Sequence, residues 1–135
     1  MKRQRQTDQT NGRTDGKKRI LIVDDEPQIG KIFGLKLQLS GYDVVSTTSG
    51  AEAIELVRND KFDIMLLDIL MPDVTGFDVL DQVRQFSQIP IIVFTARHDI
   101  FAHAKRFGAN DYISKPLNPD LLVEKIKGVL GEMGD

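Results

Sequence analysis

The sequence has no cysteine and no tryptophan, and only two histidines and two tyrosines. Without thiols there is no disulfide framework, no zinc–thiolate centre and no cysteine nucleophile. The two histidines, His98 and His103, are five residues apart. On a helix that separation turns them about 140° from each other, so they are poor partners for a metal. Long hydrophobic runs are missing as well. Ile20–Val23 and Ile91–Phe94 fall far short of the roughly 18 apolar residues of a membrane span. No apolar stretch follows the basic start, so no secretory leader is expected and the expected location is cytoplasmic. Neither a Gly-x-Gly-x-x-Gly nor a Walker sequence occurs, and there is no Gly-x-Ser-x-Gly elbow. Nucleotide-binding loops and serine-hydrolase chemistry are thereby set aside.

What is present is one domain's worth of chain: 135 residues, 41% of them hydrophobic. The formal net charge is −2, but it is unevenly spread. Residues 1–19 carry seven basic side chains against two acidic ones, a surplus of five that leaves the other 116 residues at −7. Beyond Met1 that segment has no apolar side chain and cannot offset the entropy of ordering itself. Residues 1–18 are therefore expected to be a disordered basic arm and 19–135 the folded domain. A solvated leader is favoured for the arm over a nucleic-acid contact, which salt and deletion of the arm would both abolish. Phe33, Phe62, Phe86, Phe94 and Phe107 suit core positions better than base-stacking platforms.

From Ile20 onward, short β-branched runs alternate with segments of helical period. Arg19–Val23, Tyr42–Thr47, Phe62–Leu67, Ile89–Phe94 and Asp111–Ser114 predict strands. Pro27 suits the first turn of a helix, and the Ser49–Glu52 and Thr75–Asp78 spacings fit capping boxes. Ile29, Ile32, Phe33 and Leu37 share one face of the first helix, and Leu35 and Leu39 fall off it. The fourth helix is placed at about Asp99 to Phe107. Asn118 caps the last helix, Leu122, Ile126, Val129 and Leu130 line its apolar side, and Gly131 ends it. Strand–helix alternation repeated five times predicts an α/β fold, a doubly wound five-stranded parallel sheet with helices on both faces. Its expected strand order is the flavodoxin-like 2-1-3-4-5.

The polar residues sit where these strands end. The first runs into Asp24-Asp25-Glu26, the third into Asp68, the fourth into Thr95 and the fifth into Ser114-Lys115-Pro116. Sites in open parallel sheets form at the carboxyl ends of strands, beside the point where strand order reverses. There Asp24, Asp25 and Asp68 would crowd together. Like charges about 4 Å apart repel by roughly 4 kcal/mol at an effective dielectric of 20. Either a carboxyl keeps its proton or a cation lies among them. An all-oxygen set without His or Cys selects a hard divalent ion, and Mg²⁺ fits best. Simple helix capping would account for Asp25 or Asp68 singly, but not for a Thr and a Lys ending the neighbouring strands.

Four stretches, ILIVDDE (Ile20–Glu26), DIMLLDILMP (Asp63–Pro72), Phe94-Thr95-Ala96 and GANDYISKP (Gly108–Pro116), together resemble the receiver domain of two-component response regulators. The likeness runs from residue 19 to about 131 in the right order. It implies that Asp68 accepts a phosphoryl group from a sensor histidine kinase or a histidine phosphotransfer protein. Asp25, Asp68 and the Leu70 carbonyl would ligate Mg²⁺ directly, and Asp24 would do so through water. Lys115 and Thr95 would hold phosphoryl oxygens, and Lys115–Pro116 is typically cis in this family. Tyr112 would swing inward as Thr95 moves. The protein would catalyse only its own magnesium-dependent phosphorylation and dephosphorylation. Its output would go to a downstream protein target or an effector domain, with dimerisation on activation left open.

Two features stand apart from the family pattern. The stretch from Thr95 to Lys115 is a couple of residues short, and Leu70 and Arg97 occupy positions that can gate attacking water. An aspartyl-phosphate phosphatase of the haloacid-dehalogenase type would need a second acid two residues after Asp68, where Leu70 stands. A receiver-like module that never takes phosphate would have lost one of Asp24, Asp25, Asp68, Thr95 and Lys115, and none is missing.

Overall fold

The structure is a computed structural model, described here for residues 16–132. Most of the expected arm, residues 1–15, lies outside the described residues. Lys17 and Lys18 are exposed and precede the first strand. The elements follow in strict alternation: β1 (Arg19–Val23), α1 (Pro27–Leu39), β2 (Asp43–Thr47), α2 (Gly50–Asn59), β3 (Ile64–Asp68), α3 (Gly76–Arg84), β4 (Ile91–Thr95), α4 (Phe101–Arg106), β5 (Asp111–Ser114) and α5 (Pro119–Val129). A single 3₁₀ turn, His98–Ile100, leads into α4. The five strands form one parallel sheet in the order 2-1-3-4-5, as the alternation predicted. No helix of the described chain is long and apolar enough to cross a membrane.

The three central strands are buried on both sides, which is why Ile20–Val23, Ile64–Leu67 and Ile91–Phe94 are apolar throughout. Their side chains divide by the two-residue period of a strand. Leu21, Val23, Met65, Leu67, Ile91 and Val93 face α2, α3 and α4, where Ala53, Val57, Val79, Leu80, Val83, Phe101 and Ala104 meet them. Ile20, Ile22, Ile64, Leu66, Ile92 and Phe94 face α1 and α5, packing on Phe33, Leu37, Leu122 and Ile126. Full burial of each aliphatic side chain contributes roughly 1.5–3 kcal/mol, so the sheet is the rigid part of the molecule. β2 and β5 are the edges and are correspondingly less buried.

Helix ends bear out the capping signals unequally. Thr75 Oγ1 accepts from the Asp78 amide, and Asp78 Oδ2 accepts from the Thr75 amide, a complete capping box. Ser49 caps α2, but Glu52 does not reach back to it. The Glu52 carboxylate instead accepts from the Thr47 hydroxyl, and the Ser49 amide donates to Thr47 Oγ1 at 3.1 Å. Thr47 thus takes the place of the second arm of the box. Asn118 caps α5 through the Asp120 and Leu121 amides. Gly131 adopts φ +73° just past α5, the left-handed conformation that ends helices.

Some expected core positions are at the surface. Ile32 is 58% exposed, so the buried stripe of α1 is Phe33, Gly34 and Leu37. Gly30 approaches Ser46 and Gly34 approaches Val44 on the side of α1 that faces β2. At about 100° per residue, Ile32 lies about 160° round the helix from both and about 140° from Leu37, so helical phase turns it to solvent. Phe86 and Phe107 are 37% and 43% exposed rather than core. Each instead rests beside a partner on the surface, Phe86 under the Arg58 guanidinium and Phe107 against Phe77. Val129 and Leu130 are half-buried where α5 runs out beyond the sheet. The third and fourth strands begin two residues later than expected, at Ile64 and Ile91. The fourth helix begins as the 3₁₀ turn and is α-helical for only six residues.

Candidate functional site

Because every strand runs the same way, all five carboxyl ends share one rim, and the reversal of order makes β1 and β3 neighbours there. Asp24 follows β1, Asp68 closes β3, Thr95 closes β4, and Lys115 follows β5. Asp24, Asp68 and Thr95 are 1–2% exposed, while Asp25 stands further out toward solvent. One oxygen from each of Asp24, Asp25 and Asp68 can be drawn within a 4.8 Å circle. The acids expected to meet do meet.

Each side chain is held by local backbone. Asp24 Oδ1 accepts from the Glu26 amide at 2.8 Å, and Asp68 Oδ1 accepts from the Leu70 amide at 3.2 Å. These bonds turn the opposite oxygens inward toward Lys115. Its ammonium lies 3.2 Å from Asp24 Oδ2 and 3.5 Å from Asp68 Oδ2. The approach to Asp24 Oδ2 is an ion pair without hydrogen-bond alignment, since that buried atom has no hydrogen-bond partner among the described residues. The Lys115 ammonium also lies over the Phe94 ring, 5.1 Å from its centre. Thr95 Oγ1 accepts from the Arg97 amide at 3.1 Å, which leaves its own proton available to donate. The Lys115–Pro116 peptide is cis.

The electrostatics follow from burial. Desolvation raises the Asp68 pKa to about 7; the neighbouring Asp24 adds to the rise and Lys115 opposes it. Burial also raises Asp24, against the pull of the Glu26 amide and Lys115. For Lys115 burial works against the charge, but Asp68 and Asp24 outweigh it and its pKa lies above the ordinary value. One ammonium pairs with Asp24 and Asp68 while Asp25 stands beside them without it, so negative charge is left uncompensated. The donor set is entirely oxygen, and Asp24 Oδ2 lacks a hydrogen bond. Both features suit a hard divalent cation such as Mg²⁺.

Gly76 belongs to this site although the sequence marked it only as part of a helix cap. The loop after β3 doubles back so tightly that the Gly76 amide donates to the Ile69 carbonyl at 3.0 Å. A Cβ there would lie 2.5 Å from both the Asp68 carbonyl oxygen and Ile69 Cα. Only a residue without one lets α3 start directly behind the acid. The remaining expected residues stay outside the cluster. Leu70 is 49% exposed beside it, and Arg97 is drawn into a surface pair with Asp99. Tyr112 is also 49% exposed and points away from the rim, its ring stacked on Phe101.

Residues 20–127 match the family model for the response regulator receiver domain. Among curated proteins, the response regulator SaeR of Staphylococcus aureus is 46% identical over 118 residues, covering 84% of this chain and 51% of SaeR. The chain therefore spans about half the length of the curated relatives it matches. Among solved structures, the chemotaxis protein CheY4 of Vibrio cholerae superposes with a TM-score of 0.80 at 31% identity, over 84% of this chain and 99% of that one. The response regulator TrrA of Thermotoga maritima, solved in complex with Mg²⁺ and BeF, gives 0.76 at 34% identity, over 83% and 98%. With its strand order, its acidic rim and these likenesses in agreement, the chain belongs to the response regulator receiver domains of two-component signalling systems.

Proposed function

We propose that this domain is switched by phosphorylation of Asp68, with a phosphohistidine on a sensor histidine kinase or histidine phosphotransfer protein as donor. The observation that carries the reading is the buried Asp68 carboxylate held beside two further acids and one ammonium. An Asp68 oxygen attacks phosphorus in line as the bond to the histidine nitrogen breaks, and the ring nitrogen keeps the electron pair. Such a transfer asks little covalent work of the protein and much charge stabilisation. Lys115 balances one phosphoryl oxygen, and the free proton of Thr95 serves another. Asp25, Asp68 and the Leu70 carbonyl would hold Mg²⁺ directly, with Asp24 acting through water. The metal would supply positive charge beside that of Lys115 to the phosphoryl group. TrrA, crystallised with the metal and BeF, supports that assignment by likeness.

Once Asp68 is phosphorylated, its new acceptor oxygens attract the Thr95 hydroxyl, and Tyr112 turns inward into the space released. The face formed by α4, β5 and α5 then favours a different packing and a different partner. That partner is a downstream protein or an effector domain, and dimerisation through the face is a further outcome. The protein acts in the cytoplasm as a signalling module rather than an enzyme acting on a separate substrate. The receiver begins at residue 19, after the basic segment. Apolar Leu70, half-exposed beside Asp68, shields the acyl phosphate from water.

Incubation with Mg²⁺ and acetyl phosphate, followed by intact mass measurement, tests the core of this reading. A single phosphate adduct is expected, absent without the metal and absent in Asp68→Asn. An adduct that survives in that variant would place the acceptor elsewhere. For the shield, Leu70→Asn should shorten the phosphoprotein half-life, and an unchanged half-life removes that role.

A further inference from the structure

Tyr112 is not simply loose on the surface. Its ring stacks on Phe101 with centroids 4.2 Å apart and planes 23° from parallel. Phe101 is the first residue of α4 and is 8% exposed, seated in the core face beside Ala104 and Val93. The His98 ring meets Phe101 edge-on at 5.7 Å, so Phe101 is gripped on another side as well. From α5 the Lys125 ammonium lies 5.7 Å from the centre of the Tyr112 ring, within cation–π range. Lys125 is itself fixed by Asp111, at 3.2 and 3.4 Å from the two carboxylate oxygens. Asp111 Oδ1 also accepts the Tyr112 amide at 2.8 Å. One aromatic ring on β5 is thus engaged by α4 and by α5 together.

We propose that Phe101, aided by Lys125, is a latch that holds the Tyr112 ring outward and so biases the unphosphorylated domain against the switched packing. The proposal rests on the phosphorylation switch above and adds what sets its resting position. An inward turn of Tyr112 gives up both the stack on Phe101 and the contact with Lys125. Charge gained at Asp68 must overcome that loss before the outer face changes. Offset-stacked aromatic pairs have the strength to shift such an equilibrium roughly two- to tenfold. A ligand that favours the inward state is bound more weakly by that factor while the latch is intact.

The test uses Mg²⁺ with beryllofluoride, a non-covalent mimic of an acyl phosphate, and follows the tyrosine ring signals by NMR. The wild-type chain should bind the mimic, and its Tyr112 resonances should move as the ring leaves Phe101. Phe101→Leu keeps an apolar side chain in the core but cannot stack, and it should bind the mimic roughly two- to tenfold more tightly. Its affinity for Mg²⁺ alone should not change. Lys125→Gln, a surface change that leaves the core untouched, should tighten binding in the same direction by a smaller factor and serves if Phe101→Leu does not fold. Equal or weaker binding in the folded variants would overturn the latch alone, whereas Tyr112 signals that stay still on binding would overturn both the latch and the inward turn of Tyr112, with the phosphorylation of Asp68 left standing. Failure of the wild type to bind the mimic at any magnesium concentration would remove the phosphorylation reading as well.

Discussion

The chain after β1 and β3 and the chain between β4 and β5 are built differently. Around β1 and β3 the helices are of ordinary length, and α2 and α3 start on side-chain caps. Around β4 and β5 the chain makes a 3₁₀ turn and then a helix of six residues with no side-chain cap at its start. The first region fixes the acids in place; the second carries Phe101 and Tyr112. A carboxylate that must align with a phosphorus atom needs rigid supports, because small displacements are costly in such chemistry. A surface that must exchange partners needs the opposite, an element with few constraints that can repack. On the proposed switch, the domain separates these demands along the sheet.

That contrast can be broken most severely at its rigid side. Leu66, fully buried between β1 and β4, should cost about 2–5 kcal/mol when changed to Ala, whereas Leu121→Ala on exposed α5 should stay within about 0.5 kcal/mol. Urea unfolding of both variants measures the difference. At Gly76, Ala should cost about 1–3 kcal/mol and weaken magnesium binding, since its Cβ must displace the backbone at Asp68 and Ile69. Unaltered metal affinity in that variant would detach the glycine from the site.

A pH series sharpens the comparison further. An acid whose folded pKa is raised binds its proton more tightly in the native state, so stability falls as pH rises from its unfolded value to its folded one. For Asp68 that window runs from about 4 to about 7, and the loss is at most about 4 kcal/mol in the absence of metal. Thermal melts without magnesium should therefore decline across it, and Asp68→Asn should flatten the decline. A decline of the same size in that variant would assign it to another group. The smallest effect is at the α3 cap, where Thr75→Ala should cost about 1 kcal/mol.

The site was readable from sequence because its residues end strands, and parallel strands can end only at one rim. Asp24, Asp68, Thr95 and Lys115 needed no knowledge of packing to be placed. What was not readable depended on distances between elements. Ile32 is three residues from Ile29, but it stands about 140° round the helix from Leu37, and once Gly30, Gly34 and Leu37 define the side that meets the sheet it faces solvent. Glu52 has the spacing of a capping box, yet a threonine in the preceding strand captures it. Gly76 looked like an ordinary cap neighbour until the backbone of β3 was found against it. Phe101 carried no signal at all, since its contact with the Tyr112 ring on β5 is set by packing between elements.

The pairing of Thr95 with Ser114, and of Val93 with Tyr112, puts the acidic rim and the outer tyrosine on nearby strands. Neighbouring strands are about 4.8 Å apart, so the path from Asp68 on β3 to Tyr112 on β5 crosses only about 10 Å of protein. Under the proposed phosphorylation of Asp68, its signal would therefore need no long relay through the interior. In the proposed switch one hydroxyl and one ring would span the gap, and the apolar middle of the domain could stay still while its margin answers.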